Sequence, residues 1–97
     1  MIRWEPGYLA KSKAGHDKGE IFLIIREEGE YVYLMDGKSR TMEKPKKKKK
    51  KHLQPISYRN EAIAAKLMAD ETVMNESVRQ AIQYQKNTNP KKQEDVR

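Results

Sequence analysis

The sequence predicts a mainly β fold with a C-terminal α part, a small β-barrel followed by two short helices. Three features point there. Two short runs, Ile21-Phe22-Leu23-Ile24-Ile25 and Tyr31-Val32-Tyr33-Leu34-Met35, are rich in β-branched and aromatic residues and bounded by turn chemistry, as in a hairpin. After Ser57 the period changes, and Ala62, Ile63, Leu67 and Met68 recur at helical spacing. Between the two parts lies a dense basic stretch containing Pro45, which lacks an amide donor and belongs at a strand end or sheet edge.

Taken in order, Pro6-Gly7 marks a turn, and Trp4 beside it is assigned to core packing. Residues 8–13 read as a short first strand. Gly15 and Gly19 frame the next turn, where backbone conformations resisted by a Cβ are needed. Residues 21–25 do not alternate, which fits either a strand covered on both faces or one with a bulge. Their inward face stays open. Residues 26–29 reverse the chain. On the return strand Val32 and Leu34 share one face, and Tyr31, Tyr33 and Met35 the other. The two tyrosines either support a neighbouring helix or strand or stack on exposed bases.

Residues 38–43 then read as a short edge strand, and residues 52–56 as a last strand with Leu53 over the barrel mouth. A helix is expected over 58–69. Asn75 looks like the N-cap of a second helix ending near Lys86. The resulting map is a barrel over 1–56 with a basic edge segment at 38–52, a helical hairpin over 57–86, and a disordered tail over 87–97.

Composition narrows the function. A chain of 97 residues makes one domain, and 36% hydrophobic content implies a packed part smaller than the whole. There is no cysteine, so no disulfide framework and no thiolate metal site. The longest apolar run is five residues, far short of a membrane helix, and the N-terminus lacks the core of a secretory signal. A soluble, cytoplasmic protein without membrane attachment is expected. His16 and His52 have no partner at metal-ligand spacing, and no Gly-Lys-Ser/Thr follows the glycine turn. The serines carry no nucleophile signature, and Glu27, Glu28 and Glu30 read as a solvated cluster. No catalytic residue, metal site or cofactor is predicted, and the chain is not expected to be an enzyme.

The net charge of +7 is concentrated in one place. Residues 38–52 hold eight lysines and Arg40 against Glu43 alone, a net +8, so the other 82 residues carry −1. Such a patch attracts polyanions, chiefly nucleic acid. The run of Lys46, Lys47, Lys48, Lys49, Lys50 and Lys51 exceeds what protection of a sheet edge requires, and it is assigned to phosphate binding. Lys11, Lys13, Lys18, Lys38 and Arg40 would join it at one rim if the strands close.

The segment Lys11-Ser12-Lys13-Ala14-Gly15-His16-Asp17-Lys18-Gly19-Glu20, running into the apolar strand, resembles a KOW motif. With Asp36-Gly37, Arg40 and the Lys44-Pro45-Lys46 run it is similar to bacterial KOW-domain RNA-binding proteins. These in turn are similar to KOW-type large-subunit ribosomal proteins of archaea and eukaryotes. The likeness covers about residues 11–54. It implies an SH3-like barrel that binds RNA, with contacts carried over to Lys13, Gly15, His16, Asp17 and Lys18 of the turn and to Arg40 and Lys44. A non-catalytic RNA-binding protein of the ribosome or its assembly is therefore expected, a monomer when free, with ribosomal RNA and ribosomal proteins as partners. The alternative is an adaptor of the transcription or translation machinery that docks through Ile63, Leu67, Val78 and Ile82. Full burial of that face against the barrel would weaken it.

Overall fold

The computed structural model describes residues 4–88. Five strands, β1 (Tyr8–Ser12), β2 (Ile21–Glu28), β3 (Tyr31–Met35), β4 (Lys46–Lys49) and β5 (Leu53–Arg59), precede helices α1 (Glu61–Met68) and α2 (Asn75–Thr88). A single 3-10 turn, Lys50–His52, joins β4 to β5. All pairings are antiparallel in the order β4-β3-β2-β1-β5. The sheet is not closed, and β4 and β5 remain its two edges.

The non-alternating run of β2 has both of its expected causes. Leu23 packs with Leu9 and Met35 in a cluster completed by Ile63, Val73, Val78, Ala81 and Ile82 from the helical half. Phe22 and Ile24 point the other way, into a second cluster with Ala10, Val32, Leu34 and Leu53. Both faces are therefore covered, one by the helices and one by the sheet curling over itself, with Trp4 packed against it. A bulge between Ile24 and Arg26 then shifts the register against β3. β2 continues through Glu28, so the reversal is tighter than expected and is made by Gly29 and Glu30.

Other boundaries also move. The strand expected at residues 38–43 is absent. Asp36 Oδ1 instead accepts from the backbone N–H of Lys38 (2.8 Å) and Arg40 (2.9 Å), and a Thr41 turn follows. The edge strand is the lysine run itself. β5 extends through Arg59, whose pairing with Tyr8 delays the first helix until Glu61. Asn60 caps that helix, its side chain accepting from the Ile63 N–H at 2.9 Å. α2 runs through Thr88, so the expected tail loses Asn87 and Thr88, and residues 89–97 lie outside the described part, as do 1–3.

Two glycines let the helices come close. Gly7, at φ +98°, lies where a Cβ would stand 2.6 Å from the Ala64 Cβ of α1. Gly37, at φ +77°, sits against the Asn75 carbonyl at the start of α2 and accepts a hydrogen bond from Arg79 through its own carbonyl.

Candidate nucleic-acid interface

The site is built from the period of a strand. Side chains alternate across a sheet, and directly paired residues share a face. In β4, Lys46 pairs with Leu34 and Lys48 with Val32, both buried, whereas Lys47 pairs with Tyr33 and Lys49 with Tyr31. The lysine run is thus sorted into two sets by position.

The inward set is held by Asp17 in the β1–β2 turn. Lys48 Nζ donates to Asp17 Oδ1 (2.9 Å) and to the Ala14 carbonyl (3.0 Å), with its side chain only 11% exposed. Ser12 Oγ donates to the same carboxylate oxygen at 2.6 Å. Asp17 Oδ2 takes no hydrogen bond and faces Lys46 Nζ at 3.5 Å. Burial pushes the Asp17 carboxyl up, but the hydrogen bonds from Ser12 and Lys48 and the charges of Lys48 and Lys46 outweigh it. They hold the group at about 2. Past the strand, Lys50 pairs with Glu27 and lies over the Trp4 ring.

The outward set is arranged differently. Lys47 Nζ sits 4.6 Å from the centroid of the Tyr31 ring and 5.8 Å from that of Tyr33. Lys49 is 5.9 Å from Tyr31, and the Arg26 guanidinium is 4.1 Å from Tyr33. Tyr33 donates its hydroxyl proton to Glu28 at 2.9 Å. Lys51, beyond the strand end, is exposed.

The turn and the lysine strand are therefore joined directly through Lys48, Ala14 and Asp17, although the strands do not close into the rim at which all the basic residues were expected to meet. A cleft of about 200 Å³ opens beside the junction, lined by His16, Asp17, Ser39, Arg40 and Lys46 among others. Around it Lys13, Lys18 and His16 are exposed on the turn, and Gly15 adopts φ +88°. Lys44 is exposed on the loop before β4. Lys11 projects from β1 opposite Ile21 and Gln54. Lys38 lies apart from the cleft, on a larger groove of about 720 Å³ between the 36–40 loop and α2.

Three residues of the site were not singled out from sequence. Ser12 carries a signal in retrospect, as a small polar residue at an inward strand position beside Asp17. Arg26 and Glu28 were assigned to a turn, and their partnership with Tyr33 follows only from the longer β2.

Ile63, Val78 and Ile82 are buried and Leu67 is half-buried, all in the cluster beneath the helices, so the face expected of an adaptor is occupied. The large apolar side chains exposed among the described residues are Met68, Met74 and Tyr84. Among the described residues, no helix is long and apolar enough to cross a membrane, and no group of three or more His, Cys, Asp or Glu could hold a metal. No family model matches the chain, and no curated protein matches it.

Proposed function

We propose that this chain is a non-catalytic RNA-binding protein of the cytoplasm, associated with the ribosome or its assembly and built on an SH3-like, KOW-type frame. Five antiparallel strands curled around an inner cluster support the frame. The observation that carries the function is the junction of Lys48 with Ala14 and Asp17. It places the KOW-like turn, with Lys13, His16 and Lys18, beside a strand made entirely of lysine. Asp17 and Glu27 already neutralise Lys46, Lys48 and Lys50 in part, so within the run Lys47, Lys49 and Lys51 are the cations not paired with a carboxylate among the described residues and offered to phosphates.

The test is RNA affinity as a function of salt, with a labelled structured fragment of ribosomal RNA. Each phosphate contact contributes roughly 0.7 to 0.9 to the slope of log K against log salt. Replacing Lys47, Lys49 and Lys51 by Gln should lower that slope by about 2 to 3 and leave the fold intact. A wild type that binds no RNA at low salt, or a triple variant with an unchanged slope, would refute the proposal.

A further inference from the structure

We propose that the outer face of β3 takes unpaired bases, with Tyr31 and Tyr33 as stacking platforms and Lys47, Lys49 and Arg26 as contacts to the flanking phosphates. This rests on the RNA-binding proposal above and narrows its ligand to single-stranded segments.

Tyr31, Tyr33 and Met35 share one face of β3, and that face is divided. Met35 is fully buried in the cluster with the helical half, while Tyr31 and Tyr33, further up the strand, belong to neither hydrophobic cluster and are partly exposed. The helical cluster reaches Met35 but not the aromatic end of that face, where Tyr31 and Tyr33 remain partly exposed. Its immediate surroundings are three cations within 6 Å of the two rings, against Glu28, whose carboxylate accepts the Tyr33 hydroxyl.

Rings flanked by flexible cations form the pairing that recognises single strands: the π-face accepts any base and the cations follow the backbone. Arg26 and Lys47 are exposed, so they can swing from the rings to a phosphate. Spacing favours unpaired over paired bases. Alternate residues of a strand are about 6.8 Å apart, roughly twice the ~3.4 Å step of a stacked strand. Two bases seated on Tyr31 and Tyr33 must be splayed from one another. A duplex, whose base faces are already stacked, cannot supply them.

The test compares two labelled probes by fluorescence anisotropy: a short unstructured RNA and the same strand annealed to its complement. Each ring lost should weaken stacking by about 5- to 150-fold. Y31L/Y33L should therefore lose at least about 20-fold on the unpaired probe, keep its salt slope, and bind the duplex within about twofold of wild type. Y31F/Y33F, which keeps both rings, should bind like wild type, an outcome that a purely structural role of the hydroxyls would not give. Ultraviolet cross-linking of the unaltered chain to the unpaired probe needs no variant, and should attach RNA at Tyr31 or Tyr33. Equal losses on both probes, no loss on the unpaired one, or cross-links only elsewhere would overturn the inference while leaving RNA binding in place. A wild type that binds neither probe would overturn both.

Discussion

Replacing Asp17 by Asn tests the junction on which the interface is built. Asn keeps the size and one acceptor oxygen but removes the charge that faces Lys48 and Lys46. Holding the carboxyl at about 2 rather than 3.8 corresponds to about 2 kcal/mol of folding stability at neutral pH. Lys48 Nζ would keep only neutral acceptors, the Ala14 carbonyl and at best the amide oxygen, while its stem remains buried without a counter-charge, so the loss should be of that size and not a few tenths. For a domain of this length about 2 kcal/mol lowers the melting midpoint by roughly 8 to 16 °C. Urea unfolding of both chains reads it directly, as a lower midpoint with an unchanged slope.

The same group fixes the acid limb. Its pKa is lower in the folded than in the unfolded chain, so its contribution is full above about pH 4 and disappears as pH falls through about 2. The stability difference between wild type and Asp17→Asn should therefore close across that window. A double-mutant cycle with Lys48→Gln should show coupling of about 1 kcal/mol or more. An Asp17→Asn variant within about 0.5 kcal/mol of wild type at neutral pH, or one with the same difference at both ends of the window, would refute the electrostatic account.

Further outcomes follow from the same geometry. Lys46→Gln/Lys48→Gln should lose stability in urea unfolding, whereas Lys47→Gln/Lys49→Gln should stay within about 0.5 kcal/mol of wild type. Gly37→Ala should cost more than the ordinary ~1 kcal/mol of a point substitution, because φ +77° is unfavourable and the new Cβ meets Asn75 and Arg79. Hydrogen exchange should show the first turn of α2 loosening with it. Asn60→Ala should cost about 1 kcal/mol through loss of the α1 cap, read as a lower urea midpoint.

Much of the fold was legible because its signals are local. The hairpin runs, the glycine turns and the change to helical period each depend on a few neighbouring residues, and β2, β3 and both helices appear where those signals lie. What could not be read depended on partners distant in sequence. The apolar run of β2 could not declare one inward face because both are inward: helices bury one side and the curled sheet the other. Residues 38–43 have strand composition, yet Asp36 hydrogen-bonds their backbone into a turn before pairing can begin. The start of α1 was hidden because β5 runs on past a register shift until Arg59 pairs with Tyr8 of β1.

The lysine run shows why composition misjudged the site while finding its location. Six like charges in a row read as a solvated loop or as one continuous phosphate-binding surface. Neither description includes pairing with β3, which imposes a period of two on a sequence that has none of its own. Identical residues then acquire opposite duties. Lys46 and Lys48 bind a carboxylate of the same chain, fixing the turn against the sheet, and Lys47 and Lys49 are left beside aromatic rings. The uniform run also meets two demands at once, since an edge strand of lysine discourages pairing with another chain and presents cations outward. A single-residue slip toward Lys50 would still place a lysine at every position and offer Asp17 an identical partner, so the register is fixed where the run ends, by the Lys50 N–H bonded to the Glu30 carbonyl and by buried Leu53 paired with Ser12. Asp17 then ties the inward lysines to the turn opposite, and the integrity of the proposed RNA surface depends on a residue that need not touch RNA.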